Sequence, residues 1–163
     1  MKINIFLFFS IAVITITLAC SGESHDLESV DTENEEITID TINTSTMNLQ
    51  IGDTTLTATL ADNSSAAALV AELKKGSITV EMRDYGNMEK VGSLGKSYPR
   101  NDQSITTEPG DIILYQGNAL VIYYAPNTWS FTRLGKIDNI TKEELMQVLG
   151  AGNVTITLSL PVE

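Results

Sequence analysis

Beyond Thr46 the chain alternates apolar and polar residues with a period of two over short runs, the signature of strands with one buried face. Met47-Asn48-Leu49-Gln50-Ile51 alternates, Gly52-Asp53 is a two-residue turn signal, and Thr54 to Leu60 alternates again, which predicts an opening hairpin. Asn63 or Ser64 is placed to cap a helix over about Ser65 to Lys75, with Leu69 and Leu73 four apart and Gly76 as its stop. Ile78 to Met82 predicts a third strand, broken by Gly86-Asn87. From Val91 to Pro109 the periodicity fades among Gly, Ser, Pro, Lys and Asn, which predicts a long loop around Tyr98-Pro99-Arg100. The runs Asp111 to Tyr115 and Ala119 to Tyr124 flank Gly117-Asn118 and are nearly continuous in apolar residues, so both strands are expected at the centre of a sheet. Thr128 to Ile137 predicts a further strand. Thr141-Lys142-Glu143-Glu144 is a capping box that opens a second helix, and Val154 to Leu160 alternates as a last strand. The sum is about seven strands and two short helices. Hairpins dominate and nothing demands a parallel sheet, so the pattern predicts a mainly β fold, a small closed or nearly closed antiparallel β-barrel over residues 47–163.

Upstream of Thr46 the pattern changes. A basic start at Lys2, an apolar stretch from Ile3 to Ile16 and small residues before Cys20 form the layout of a signal peptide over residues 1–19. The apolar stretch falls short of the roughly 20 residues that cross a bilayer as a helix. Thr17-Leu18-Ala19-Cys20 resembles a bacterial lipoprotein signal, in which the cysteine becomes the first mature residue and carries lipid; Thr17 stands where Leu is usual. The resemblance implies an extracytoplasmic protein held at a bacterial membrane through Cys20. The plainer reading is an ordinary signal peptide followed by an unpaired thiol. Residues 20–46 then carry eight acids, no Lys or Arg and no aromatic residue, the composition of a disordered tether. Fully stretched, it would reach at most about 90 Å.

The 163 residues carry a formal net charge of −11, with one Cys and one His. Most of that acidity belongs to the tether, because residues 47–163 hold 13 acids against nine bases. Cys20 and His25 both lie upstream of the barrel, so any chemistry there proceeds without a thiol or an imidazole. An acidic surface disfavours nucleic acid as a partner, and no Cys/His set or Asp-rich calcium loop indicates a metal. Gly92-Ser93-Leu94-Gly95-Lys96-Ser97 lacks the spacing of a phosphate-binding loop, and no motif indicates a cofactor.

Glu108-Pro109-Gly110-Asp111-Ile112-Ile113-Leu114-Tyr115-Gln116-Gly117-Asn118, then Val121 to Tyr124, then Trp129-Ser130-Phe131-Thr132-Arg133-Leu134-Gly135-Lys136-Ile137, resembles the bacterial cyclophilin-like domain family. The resemblance covers roughly Met47 to Glu163 and implies a small barrel. It implies prolyl isomerisation only weakly. The Phe-His-Arg strand, the Gln-Gly-Gly segment and the His-lined pocket of catalytic cyclophilins have no counterpart here. Arg83 follows the first helix, where the catalytic arginine would fall by order of elements, but Met82 and Asp84 depart from the motif beside it.

The candidate ligand-binding residues are Arg83, Tyr85, Tyr98, Arg100, Trp129 and Arg133. On an extended strand Trp129, Phe131 and Arg133 share one face, an aromatic platform beside a guanidinium that suits a carboxylate or peptide. The competing reading puts Trp129 and Phe131 in the core and pairs Arg133 with Asp111 or Asp138. Tyr85, Tyr98 and Arg100 border the expected loop and either complete such a pocket or anchor the loop. The leading expectation is a non-catalytic module that binds a small molecule, peptide or protein. The alternatives are a diverged prolyl isomerase and an envelope protein that acts through its stalk.

Overall fold

The computed structural model describes residues 45–162. The expected signal peptide over residues 1–19, Cys20 and the expected tether as far as residue 44 lie outside the described residues. Nine strands and two helices follow in the order β1 (Thr46–Ile51), β2 (Thr54–Leu60), α1 (Ser64–Leu73), β3 (Ile78–Tyr85), β4 (Glu89–Ser93), β5 (Gln103–Thr106), β6 (Asp111–Tyr115), β7 (Ala119–Tyr123), β8 (Thr128–Ile137), α2 (Lys142–Leu149) and β9 (Val154–Ser159). Every pairing is antiparallel, in the order β2-β1-β9-β3-β4-β7-β6-β8, and a β2–β8 pairing closes this ring into an eight-stranded barrel. The ninth strand, β5, lies against the first half of β8.

Closure depends on a glycine. Gly135 on β8 stands against the Thr59 carbonyl and Leu60 of β2, so closely that a Cβ there would overlap the backbone. Only a residue without a side chain lets these two strands meet.

The alternating apolar residues fill the interior, with Met47 and Leu49 of β1, Met82 of β3, Ile112 and Leu114 of β6, and Ile156 and Leu158 of β9 all fully buried. Strand direction places the helices at opposite ends: α1 joins the end of β2 to the start of β3, and α2 joins the end of β8 to the start of β9. α1 begins at Asn63, whose side chain accepts from the Ala66 amide at 2.9 Å, and buries Leu69 and Leu73 in the core. α2 begins with the expected Thr141–Glu144 capping box and buries Leu145 and Leu149.

The expectation of a long loop over Val91 to Pro109 and about seven strands is corrected in two places. β4 occupies Glu89–Ser93 and pairs with both β3 and β7, while β5 pairs with β8. β3 also runs on to Tyr85, where Gly86 and Asn87, at φ 61° and 54°, make the tight turn into β4. Charged Glu89 and Lys90 and small Gly92 hid β4 from the hydrophobic pattern. β6 and β7 are central as expected, and they are buried on both faces: Ile112, Leu114, Leu120 and Ile122 inward, Ile113, Val121 and Tyr123 outward.

The outward burial follows from the direction of the strands. β7 and β8 are both antiparallel to β6 and therefore run the same way on either side of it. The chain leaving β7 has to return across the outer face before β8 pairs with β6 from Thr132 onward. That crossing, Tyr124 through Phe131, lays Phe131 on Ile113, Val121 and Tyr123 and forms a second, smaller apolar cluster outside the barrel.

Candidate functional site

Beside this crossing lies a cavity of about 400 Å³ on the outer face. β3 contributes Arg83 and Tyr85; the turn and β4 contribute Met88, Glu89 and Val91; β6 and β7 contribute Tyr115 and Tyr123; the crossing contributes Asn127, Trp129 and Phe131. All the strand positions point outward because they share the phase of alternation opposite to the core. The register shows how they come together. Arg83 stands opposite Val91 and Val91 opposite Val121, while Tyr85 stands opposite Glu89 and Glu89 opposite Tyr123.

Five aromatic rings border the cavity. Tyr123 and Phe131 are buried, with ring centroids 5.5 Å apart, and Tyr115 meets Phe131 edge-on at 6.3 Å. Tyr85 and Trp129 are by contrast 61% and 63% exposed, which leaves large apolar surface in water at the rim. A monomeric barrel gains nothing from that exposure, and contiguous apolar surface of this kind commonly marks a binding site.

The polar groups are few and distinct. Glu89 is 8% exposed, forms no ion pair among the described residues, and has the Tyr123 hydroxyl against it. Burial pushes its carboxyl above the usual range, partly offset by the hydrogen bond with Tyr123. Burial and Glu89 together push the Tyr123 phenol up, and Asn127 Nδ2 donates to that phenol oxygen at 3.2 Å. Arg83 is exposed on the same face. Of the three arginines it alone lacks an ion pair among the described residues: Arg100 pairs with Asp102 and Arg133 with Asp111.

Of the six candidates from the sequence, then, the fold brings Arg83, Tyr85 and Trp129 to one cavity. The other three stand elsewhere. Tyr98 is buried in the interior core at 6% exposure, and its amide donates to the Gly117 carbonyl at 2.7 Å. Arg100 lies on the surface beside Asp102. Arg133 shares the outward phase of Trp129 and Phe131 as expected, but its guanidinium donates to Asp111 Oδ2 at 2.8 Å. That is the ion pair of the competing reading.

Sequence reasoning passed over Glu89, Met88, Tyr115, Tyr123 and Asn127. The outward tyrosines were legible as the alternate positions of a hairpin whose other face is core. Glu89 was not, because the run Glu89-Lys90-Val91-Gly92-Ser93 has no apolar alternation. Among the described residues no group of three His, Cys, Asp or Glu side chains is placed to hold a metal ion.

A closed eight-stranded antiparallel barrel with a helix at each end, carrying its cavity on the outer face, defines the class. The sequence matches the cyclophilin-like family over residues 49–159, and the chain belongs to that family. Among solved structures it is similar to the solution structure of the hypothetical protein AF2241 from Archaeoglobus fulgidus, with 12% identity and a TM-score of 0.53 over 72% of this chain and 95% of that one. It is likewise similar to McbB, solved in complex with tryptophan, with 14% identity and a TM-score of 0.53 over 72% of this chain and 45% of that one. No curated protein matches the sequence.

Proposed function

We propose that the barrel is a non-catalytic binding module that takes a small molecule or short peptide in the outer aromatic cavity, displayed outside the cytoplasm on a tether lipidated at Cys20. The cavity carries the reading: about 400 Å³ bordered by five aromatic rings, with exposed Trp129 at the rim and a buried Glu89 in its wall. A site of this size suits a ligand with one or two rings, held by apolar contact and oriented by a few polar groups. McbB holds tryptophan in its own structure; what it shares with this chain is the fold.

A thermal-shift screen of small amphiphilic compounds and short peptides tests the reading, with Trp129→Ala as the control. Because Trp129 is exposed, that variant retains the fold and loses the response. Hits that stabilise both proteins equally contradict the proposal. The membrane part is tested by Cys20→Ser, which is expected to move the protein from the membrane fraction to the soluble one. Unchanged partition removes the anchor.

The placement of Arg83 favours one second reading, a diverged prolyl isomerase, since an unpaired guanidinium on the rim of an apolar cavity can polarise a peptide carbonyl. Turnover of a proline peptide that disappears in Arg83→Ala would replace the binding reading with this one. No turnover removes it.

A further inference from the structure

Glu89 and Arg83 lie in the same cavity wall with opposite charges and do not pair with each other. Arg83 stands opposite Val91 and Glu89 opposite Tyr85, so the two are diagonal neighbours on adjacent strands, about 7–8 Å apart at the backbone. Salt bridges form freely elsewhere on this barrel, at Lys90–Asp84, Arg133–Asp111 and Lys136–Glu108. Here a carboxylate sits at the wall of an aromatic cavity without a cation, and a guanidinium sits at its rim without an anion. An isolated buried carboxylate is costly to keep unless something neutralises it. Aromatic faces complement the same kind of group, because their π-electrons attract organic cations.

The geometry points to a zwitterionic amine as the ligand of this cavity: an ammonium group against Glu89 among the rings of Tyr85, Tyr123 and Trp129, an anionic group on Arg83, and an apolar body against Phe131. This rests on the binding reading above and adds the class of ligand to it. A purely apolar ligand would leave Glu89 buried and unpaired. A purely anionic one would place its charge beside a carboxylate. Only a molecule that carries both charges close together completes both groups.

Four probes with the same phenyl body separate the charges: L-phenylalanine (both), phenethylamine (cation only), hydrocinnamate (anion only) and hydrocinnamyl alcohol (neither). Trp129, the single tryptophan of the chain, reports occupancy through its fluorescence. The expected order of affinity is phenylalanine, then phenethylamine, then hydrocinnamate and the alcohol. Glu89→Gln weakens phenylalanine and phenethylamine at least about tenfold and leaves hydrocinnamate unchanged or tighter, while Arg83→Gln weakens phenylalanine and hydrocinnamate and spares phenethylamine. If the alcohol binds as tightly as phenylalanine, or Glu89→Gln leaves phenethylamine untouched, the zwitterion inference fails and the cavity remains a binding site. If none of the four perturbs Trp129 while a screening hit does, the inference fails in the same way. If neither the probes nor the screening compounds raise the thermal midpoint of the parent by a shift that Trp129→Ala loses, both readings fall together.

Discussion

Glu89 and Lys90 are neighbours on β4, both charged and both buried, and the pleat sends them to opposite sides of the barrel wall. Lys90 points inward and is 1% exposed. Its ammonium donates to Asp84 Oδ2 at 2.7 Å and to the carbonyls of Gly150 and Gly152 at 2.9 and 2.7 Å. Asp84 in turn accepts from the Gly152 amide at 2.9 Å and from the Tyr124 hydroxyl at 2.5 Å; burial, and after it this bond to Asp84, pushes the phenol up to about 12. All three donors of the lysine are used, and the network ties the segment after α2 to β3 and β4. Glu89 points outward, has no cation, and faces a cavity. Two buried charges one residue apart thus differ in how completely they are satisfied. The lysine's partners belong to the architecture; the glutamate has the Tyr123 hydroxyl and no counter-ion among the described residues, the place the proposed ligand's ammonium would take.

This contrast is easiest to break through stability. Lys90→Met removes the cation from Asp84 and strips two carbonyls of their donor. Removing one partner of a buried pair costs about 3–5 kcal/mol, and here the lower end applies because Asp84 is one-third exposed. The drop would be read as a lower midpoint in urea. Gly135→Ala attacks closure and not charge, since the added methyl runs into the Thr59 carbonyl; overpacking of this kind costs about 1–3 kcal/mol. An unchanged Tm for Gly135→Ala would mean that β2 and β8 can separate without loss, contrary to the closed barrel.

Glu89→Gln has the opposite expectation. The unfavourable burial of a carboxylate disappears, so at pH 7 the variant is as stable as the parent or more so, by less than about 1 kcal/mol. The pH dependence separates the two charges further. Lys90, and after it Tyr124, hold the Asp84 carboxyl below its usual value of 3.8, so its contribution is present above about pH 4 and is lost as pH falls through the lowered value. Glu89 is raised above 4.5 by burial, so its contribution is present below that pH and declines as pH rises through the raised value. Glu89→Gln therefore gains on the parent as pH climbs past about 4.5 and shows no gain below it. Thermal melts of both proteins across that range measure the difference, and a constant offset at every pH would place the carboxylate in water.

How far the sequence could be read follows the same division. The interior was legible because its residues are aliphatic and alternate: Met47, Leu49 and Ile51 face inward, and so do Ile112 and Leu114. The capping box at Thr141 and the turn at Gly86-Asn87 were legible from local chemistry alone. β4 was not, because it carries a charge on each face, and each is buried by partners far away in sequence. Lys90 needs Gly150 and Gly152, while Glu89 needs Tyr123 and the crossing that brings Trp129 and Phe131 over it. Trp129, Phe131 and Arg133 were read as sharing one face, but periodicity left open whether that face is core or platform; only the neighbouring strands leave Trp129 exposed, bury Phe131 and send Arg133 to Asp111. Periodicity carries the core; the cavity depends on register and on how one strand returns across another.

The most direct test sets stability and binding side by side in one variant. Glu89→Gln is measured for urea midpoint at pH 7 and titrated with phenethylamine through Trp129 fluorescence, with the parent alongside. A variant that keeps or improves its midpoint while losing at least about tenfold in affinity is the predicted result. A variant that unfolds as easily as Lys90→Met, yet binds phenethylamine as the parent does, would make Glu89 a structural charge and contradict the account.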